Sequence, residues 1–264
     1  MSKKIGYALG AGGARGVAHL GVLKALEEEG IRPDYIAGCS MGSVVGAGYA
    51  AGMTIEEMLN IVCNIKPLHL IDVSAVPITR LALTRGSKMH KMLLDKIGDS
   101  RFEDLKIPFR CVASDLYSGR LVTLSEGEVA QAVRASSTMP TVFPPVKLDG
   151  KLLIDGGVLC RVPTKQVKEM GADVVIAVDV LDNTKEPVKK VKDIFSLIMR
   201  VYDMMDYQGT EMKKQIEGTE NEVWVVPEMK GMSQYSMKNF DRIYAEGYLT
   251  AKKQMPEIKA LLGM

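Results

Sequence analysis

The chain has 264 residues, 47% of them hydrophobic and 25% charged, and its 34 basic and 32 acidic side chains leave a net charge of +2. This near balance excludes the long-range attraction to nucleic acid that a strongly basic chain has, so we expect no nucleic-acid partner. The four cysteines form no C-x-x-C pair, which excludes a disulfide framework or a cysteine-based zinc site readable from their spacing. No leader is visible and no segment has the ~20 apolar residues of a spanning helix, so we expect one cytoplasmic domain over residues 1–264.

Short apolar runs alternate with helix-like segments along the chain. Strands are predicted at "KIGYAL", "DYIAG", "IPFRCVASDL", "GRLVTL", "VKLDGKLLI", "ADVVIAVDV" and "EVWVV". Helices are predicted from Arg15 to Glu29 and over "SVVGAGYAAG", "TIEEMLNIV", "VKDIFSLIMRVYDMM" and "NFDRIYAEGYLTAKKQM". This alternation predicts an α/β fold with a mainly parallel central sheet covered on both faces. Residues 66–85 carry mixed signals and are interpreted as an irregular excursion or a lid.

The glycine-rich loop "GAGGARG" starts at Gly10, between the first predicted strand and the first predicted helix. Backbone N–H groups at a helix start bind anions, so the loop fits either a dinucleotide phosphate or the oxyanion of a reaction intermediate. A dinucleotide fingerprint requires G-x-G-x-x-G, and Arg15 stands where its third glycine belongs. A Walker loop is excluded because no Gly-Lys-Ser/Thr follows. An oxyanion is therefore favoured, with Gly12 and Gly13 as unobstructed N–H donors.

A second motif, "GCSMG", lies between a predicted strand and a predicted helix. In this context G-x-S-x-G is typical of a nucleophile elbow, a sharp turn that exposes the serine hydroxyl over a helix N-terminus. Gly38 and Gly42 allow neighbouring backbone to pass close to Ser40. The alternative is a small-residue turn that contains a serine by chance, and the flanking strand and helix favour the nucleophile.

The base that would activate Ser40 is not a late histidine, because the chain's histidines are His19, His69 and His90. An α/β-hydrolase triad runs serine, acid, histidine, with the histidine late in the chain. Ser40, Asp72 and His90 keep this order, but they lie too close together in an irregular segment to resemble such a triad. Each histidine is more simply a surface or core residue.

A carboxylate is the other candidate for the base. Asp155 ends the predicted strand "KLLID" and precedes Gly156 and Gly157. Two glycines let a loop turn abruptly and approach another backbone closely, as an acid delivered to Ser40 requires. Taken alone, these residues are equally typical of a plain Asp-Gly-Gly turn.

Together these stretches resemble one family, the patatin-like phospholipases, and specifically its small bacterial members. The resemblance covers nearly the whole chain and rests on "GAGGARG", "GCSMG" and "DGG" at 155–157. It is strengthened by "SDLYSGRLVTLSEGEVAQAVRASSTMPTVFPPV", "GADVVIAVDV" and "NFDRIYAEGYLTAKKQMPEIK". The resemblance implies a three-layer α/β/α fold and lipid acyl hydrolysis by a Ser-Asp dyad without histidine. It implies no metal and no organic cofactor.

The resemblance also implies roles for individual residues. Ser40 is the nucleophile that forms an acyl-serine, Asp155 is the base, and the backbone of Gly12 and Gly13 is the oxyanion hole. Arg15 matches the family's arginine after the glycines and is expected to brace the loop. The supporting loop residues are Gly10, Ala11, Arg15, Gly16, Gly38, Gly42, Gly156 and Gly157. Plant-type members begin the first loop with Asp-Gly-Gly-Gly, where this chain has Gly10 and Ala11 in the first two positions.

Two alternatives from other functional classes stay open at this stage. One is a non-catalytic lipid-binding or regulatory protein on the same fold, against which the intact Ser40 and Asp155 argue. The other is an oxidoreductase that binds a dinucleotide at residues 10–15, which the mismatch at Arg15 disfavours. Fluorophosphonate labelling separates the first alternative from a serine hydrolase, and cofactor binding tests the second.

One segment suggests how an acyl-ester lipid substrate would be reached. From Val188 to Ile216 apolar residues recur at helical spacing, after a basic cluster of Lys185, Lys189, Lys190 and Lys192. A helix packed on the sheet is the favoured interpretation, because most such stripes are core. The functional alternative is a mobile, methionine-rich cover that contacts an anionic membrane peripherally and reversibly, at the inner membrane surface. Such a cover would bind anionic but not zwitterionic vesicles.

Overall fold

A mixed sheet forms the middle layer of the protein. The computed structural model describes residues 3–64, 82, 86–181 and 191–264, so most of the segment predicted as an excursion or lid lies outside the described residues. Eight strands within these ranges form the sheet in the order β5-β6-β3-β2-β1-β7-β8, with β4 paired to β3. Their bounds are β1 Ile5–Leu9, β2 Tyr35–Cys39, β3 Phe109–Asp115, β4 Arg120–Leu124, β5 Val146–Leu148, β6 Lys151–Asp155, β7 Val174–Val178 and β8 Glu222–Val225.

The central strands are parallel, as predicted, and the antiparallel pairs lie to one side. β8, β7, β1, β2 and β3 are successive parallel neighbours. β4 and β6 pair antiparallel with β3, and β5 pairs antiparallel with β6. The β5–β6 turn is the tight hairpin that Asp149-Gly150 predicts, because both residues have positive φ angles of 47° and 74°.

Helices cover both faces of the sheet, which confirms the three-layer α/β/α architecture. Their bounds are α1 Val17–Glu28, α2 Met41–Ala51, α3 Ile55–Asn64, α4 Ser87–Ile97, α5 Val129–Ser136, α6 Thr164–Lys168, α7 Ile194–Glu217 and α8 Phe240–Leu262. Short 3₁₀ turns occupy Gly13–Gly16, Phe102–Asp104 and Gly156–Val158. No helix among the described residues is long and apolar enough to cross a membrane.

The larger core lies on one face of the sheet. There, alternate strand residues such as Tyr7, Ile36 and Ile176 pack with helices α1, α2, α4, α5 and α8. The opposite face is lined by smaller residues, including Ala8 and Ala37, and is covered by α6 and α7.

Strand β3 brings two remote parts of the chain together. β2 runs parallel to the first half of β3 and ends with Cys39 opposite Val112. β6 runs antiparallel to the second half and ends with Asp155 opposite Ala113. Because β4 pairs along the other edge of this same stretch of β3, β2 and β6 meet end to end. Ser40, the residue after β2, therefore comes to lie beside Asp155.

Candidate active site

Ser40 sits at a strained turn between β2 and α2. Its φ of 51° and ψ of −122° are rare for a residue with a side chain and typical of stored strain at functional sites. Close backbone contacts surround it. A Cβ on Gly42 would lie 2.1 Å from the Leu9 carbonyl oxygen, and one on Gly38 would lie 2.5 Å from Ser43 Cα. The two glycines of the elbow motif are thus required by sterics.

Three other serines hold the backbone of this turn. Ser40 N–H donates to Ser136 Oγ at 3.0 Å, while Ser137 Oγ donates to the Ser40 carbonyl at 3.1 Å. Ser43 Oγ donates to the same carbonyl at 2.6 Å. No local pattern in the sequence indicates a role for these serines, although Ser136 and Ser137 lie in the "ASSTMP" part of the stretch that carries the family resemblance. These hydrogen bonds stabilise the strained backbone conformation of Ser40.

Asp155 accepts a hydrogen bond from the Ser40 hydroxyl. Ser40 Oγ donates to Asp155 Oδ2 at 2.6 Å, and Gly157 N–H donates to Oδ1 at 2.8 Å. The carboxylate is buried, with 4% of its residue surface exposed. Burial raises the pKa of Asp155 to about 6, opposed by the hydrogen bonds from Ser40, Gly157 and Cys39. A carboxylate with this pKa is a stronger proton acceptor than an exposed aspartate and still ionised at neutral pH.

The glycine-rich loop is fixed on both sides of Gly12 and Gly13. Before them, Gly10 and Ala11 donate to the carbonyls of Val178 and Arg161, both at 3.0 Å; after them, Ala14 donates to the Gln234 carbonyl at 2.9 Å. Among the described residues, the N–H groups of Gly12 and Gly13 donate no hydrogen bond. Gly13 lines the same cavity as Ser40. These two N–H groups therefore have no competing acceptor in this part of the structure, and their role in binding an oxyanion stays a prediction.

Arg15 and His19 support this loop. Arg15 Nε donates to the Met232 carbonyl at 2.7 Å, a contact that suits the predicted brace. His19 lies on α1, fully buried, with Nε2 2.8 Å from the Gly10 carbonyl oxygen. Burial lowers the pKa of His19 to about 4, so its ring is neutral and donates to that carbonyl. His19 is thus a core residue that fixes the loop.

No histidine among the described residues hydrogen-bonds to Ser40 or Asp155. His90 lies on α4, and His69 and Asp72 of the disfavoured triad lie outside the described residues. In the described ranges, no group of three or more His, Cys, Asp and Glu side chains could hold a metal ion. Among the described residues, the side chain that accepts the hydrogen bond of the Ser40 hydroxyl is therefore the carboxylate of Asp155, not a histidine.

A large apolar cavity opens beside Ser40. It has a volume of about 420 Å³ and lies between α1, α2, α3, α4 and the segments around Met139 and Gln234. Lys96 is the single charged residue among the described residues that line it. Its methionines are Met41, Met53, Met58, Met89, Met92, Met139 and Met237. Flexible, unbranched side chains adapt to apolar ligands of varied shape, so the cavity suits an alkyl chain.

Comparison with known proteins gives the family. The model of the patatin-like phospholipase family matches residues 7–168, a span that contains the glycine loop, Ser40 and Asp155. The chain belongs to the patatin-like phospholipase family. An NTE family protein of Mycobacterium bovis is 36% identical over 188 residues, which cover 71% of this chain and 52% of that protein. The lysophospholipase nte1 of Aspergillus fumigatus is 30% identical over 284 aligned positions, covering 98% of this chain and 18% of that protein.

This patatin-like chain thus spans about half the length of the mycobacterial relative and less than a fifth of the fungal one. Solved structures share its fold. VipD from Legionella pneumophila superposes with a TM-score of 0.61 at 15% identity, over 97% of this chain and 67% of that chain. ExoU of the Pseudomonas aeruginosa type III secretion system, in complex with SpcU, superposes with a TM-score of 0.50 at 16% identity, over 100% and 53%. At these identities the likeness concerns the fold alone.

Proposed function

We propose that the chain is a serine acyl hydrolase that cleaves a lipid ester through a Ser40–Asp155 dyad. The observation that carries the proposal is the 2.6 Å hydrogen bond from Ser40 Oγ to Asp155 Oδ2, beside an apolar cavity. Family membership supports the reaction class, and the name of the fungal relative supports a lysophospholipid or similar ester as substrate. We also propose that the chain forms one domain, since strands from residues 5 to 225 build a single sheet.

The first half of the reaction forms the acyl-enzyme. Ser40 Oγ attacks the ester carbonyl carbon while its proton passes to Asp155 Oδ2. The carbonyl oxygen becomes an oxyanion, which the N–H groups of Gly12 and Gly13 stabilise. When the intermediate collapses, the alcohol leaves with the proton from Asp155, and the acyl group stays on Ser40.

The second half releases the acid. A water molecule gives a proton to Asp155 as its oxygen attacks the acyl-serine carbonyl. The oxyanion forms again beside Gly12 and Gly13, and its collapse breaks the bond to Ser40 Oγ, which takes the proton back. Asp155 is therefore base and acid in turn, a task that its raised pKa suits.

The membrane contact that we propose for this function is peripheral. Lys192 is exposed two residues before α7, and the sequence places Lys185, Lys189 and Lys190 shortly before it, outside the described residues. Each lysine near an anionic bilayer contributes about 1 kcal/mol of attraction, which salt screens. We expect Lys189, Lys190 and Lys192 changed to Glu to weaken binding to anionic vesicles without affecting hydrolysis of a small soluble ester.

The dyad is tested with a soluble ester of medium chain length. Ser40→Ala and Asp155→Asn should each lower kcat by roughly 10³-fold or more, and the double variant should be no worse, because the two residues act as a unit. Ser125→Ala and Asp99→Asn, at exposed positions, are the matched controls. Wild-type kcat should fall as pH drops through about 6, because protonated Asp155 cannot accept the serine proton.

Each competing interpretation predicts a different result. A non-catalytic lipid-binding protein would not react with a fluorophosphonate at Ser40, and a dinucleotide-dependent enzyme would bind a nicotinamide or flavin cofactor. Folded Asp155→Asn with wild-type kcat would disprove the dyad. A kcat loss in His69→Ala or His90→Ala as severe as in Ser40→Ala would identify a histidine base instead.

A further inference from the structure

Helix α7 turns its apolar side away from the protein. Ile194, Met205 and Ile216 are 76%, 70% and 78% exposed. The other large apolar side chains exposed along the helix are Leu197, Ile198, Val201, Met204 and Met212. Between residues 194 and 209, none of the exposed side chains that the structure describes is charged. We call this set the outer face of α7. This face is made of residues from the stripe that the sequence predicts to pack on the sheet, so that prediction is wrong for them, whereas Met199 of the same stripe is buried.

Polar contacts on the opposite side hold α7 in this orientation. Arg161 Nη1 donates to Asp206 Oδ2 at 3.1 Å, with both side chains buried. Gln234 Nε2 donates to Asp203 Oδ1 at 2.9 Å, and Lys213 donates to the Leu159 carbonyl. Rotating the outer face inward would break these contacts. It would also bury aliphatic side chains against Arg161, which would then lack its partner Asp206. The exposure of the outer face follows from the fold.

Further exposed apolar residues lie where α7 passes the candidate active site. Val158 and Leu159 follow Asp155 and its two glycines, and a Cβ on Gly157 would lie 2.7 Å from Tyr202 Oη of α7. Leu116 and Tyr117 follow β3, at the sheet edge where the parallel strand β2 delivers Ser40. Among the described residues, the large exposed hydrophobic side chains outside α7 and this edge are those of Val191, Tyr235, Leu249 and Met264. Val191 lies three residues before α7, and Tyr235 lines the cavity beside Ser40. Most of the large exposed hydrophobic side chains that the structure describes therefore lie on α7 or on the segments that follow β3 and Asp155.

We propose that the outer face of α7 and the apolar residues at this edge dock on a lipid bilayer, inserting side chains among the acyl chains. Monomeric proteins rarely expose contiguous apolar patches above a few hundred Å² without a function. The outer face contains Leu197 and Val201 but no Trp, Tyr or Arg, whereas the residues that carry most of the binding energy in protein interfaces are enriched in Trp, Tyr and Arg and poor in Leu and Val. A fluid apolar phase fits this composition better than a shaped protein partner. An in-plane orientation also fits a helix that cannot cross a membrane.

The proposal rests on the proposed lipid hydrolase function. Tyr202 of α7 lies beside Gly157, and Asp203 of α7 accepts from Gln234, which lines the cavity beside Ser40, so docking of α7 would place the candidate site close to the bilayer. It differs from the lysine-driven contact in its physical cause. Electrostatic attraction needs anionic lipid and weakens as salt shortens the Debye length from ~10 Å at 0.1 M to ~3 Å at 1 M. Burial of apolar surface does not require anionic lipid and is not weakened by this screening. The outer face therefore adds binding to zwitterionic vesicles that persists at high salt.

The experiment measures flotation with phosphatidylcholine vesicles at low and at 1 M salt. A triple variant, Ile198→Gln, Val201→Gln and Met205→Gln, makes the outer face polar without adding charge. We expect it to lose at least tenfold in vesicle partitioning at both salt concentrations, while kcat/KM on a soluble ester stays unchanged. Leu249→Gln, at an exposed leucine of α8 that is 59% exposed, is the matched control and should bind like wild type.

The outcomes separate this proposal from the proposed function. Wild-type vesicle binding by the triple variant would overturn the docking surface, as would a wild-type protein that hydrolyses the soluble ester but does not float with vesicles. A wild-type dimer in sedimentation equilibrium that the triple variant converts to monomer would assign the outer face to a second copy instead. Vesicle binding without hydrolysis of any ester would leave docking intact and refute the hydrolase.

Discussion

Helices α7 and α8 have almost the same length, 24 and 23 residues, yet they turn opposite sides toward the protein. α8 buries apolar residues against α1, with Ile243 and Ala251 completely enclosed. α7 buries Asp206 and Thr210 and exposes its aliphatic residues. An amphipathic pattern thus defines the two sides of a helix, and the neighbouring residues decide which side faces inward.

The attachments of the two helices differ accordingly. α8 approaches α1 so closely that a Cβ on Gly247 would lie 2.1 Å from the Ala18 carbonyl oxygen. α7 is attached through Arg161, whose Nη2 donates to Asp179 Oδ2 at 2.7 Å while Nη1 contacts Asp206 on α7. A buried cation such as Arg161 needs carboxylates as partners, and α7, which covers this face of the sheet, provides one of them in Asp206. The polar side of α7 therefore faces inward.

The largest expected effect comes from placing one charge on each helix. Ile243→Asp in α8 puts a carboxylate in the core and should lower the free energy of unfolding by more than ~4 kcal/mol. Met205→Asp in α7 should change it by less than ~0.5 kcal/mol, because the position is exposed. Urea unfolding measures both.

If Ile243→Asp does not fold, Ile243→Ala keeps the comparison measurable, with a loss of about 2–5 kcal/mol. A destabilisation by Met205→Asp as large as that of Ile243→Ala would show that α7 packs its apolar side in solution, and the contrast between the helices would be lost.

Local patterns in the sequence predicted most elements and the two ends of the candidate site. The strand before Ser40, the capping box of Thr54 and Glu57, and the position of Asp155 at a strand end are all encoded within a few neighbouring residues. The meeting of Ser40 with Asp155 is not, because it depends on the register of β2 and β6 on β3, between segments 115 residues apart. Ser136 and Ser137 escaped prediction for the same reason, because they lie 96 and 97 residues from Ser40 in the chain.

The helices show a second limit. α4 was not predicted, although Met89, Leu93 and Ile97 recur every four residues and are buried, so a helical signal was present. α7 was predicted to start near Val188, but Asp193 caps it by accepting from Ser196 N–H at 2.7 Å, and the helix begins at Ile194. The direction of its apolar side needed the position of Arg161, which no local pattern contains.

The next largest effect should follow from removing the attachment of α7. Arg161→Met leaves two buried acidic side chains, Asp179 and Asp206, without their cation, and should cost about 3–5 kcal/mol of the free energy of unfolding above pH 7, where Asp206 is ionised. Hydrogen exchange should quicken over residues 194–217 more than over α8. Equal protection of α7 in the variant and the wild type would show that Arg161 does not hold the helix.

A smaller effect concerns pH. Burial raises the pKa of Asp206 to about 7, so the folded state holds a proton that the unfolded chain releases near its ordinary pKa of ~3.9. The stability contributed by this group is therefore complete at acid pH and is lost as pH rises through about 7. Asp206→Asn should remove this part of the pH dependence, on the order of 1–3 kcal/mol, with exposed Asp99→Asn as the control. An unchanged pH profile in Asp206→Asn would exclude this titration.

The smallest effect is expected where α8 carries exposed charges. Lys259 Nζ lies 2.7 Å from Glu29 Oε2 on the residue that follows α1, and both side chains are partly exposed, at 38% and 27%. Hydrogen bonds from Lys259 and Lys252 lower the pKa of Glu29 to about 2, but solvent and salt screen such pairs. Lys259→Ala should therefore shift Tm less than any variant above, and the shift should vanish at 1 M salt. A Tm loss comparable to that of Arg161→Met, at both salt concentrations, would show that ion pairs attach α8 as well. The two helices would then differ in the side they present but not in the force that holds them.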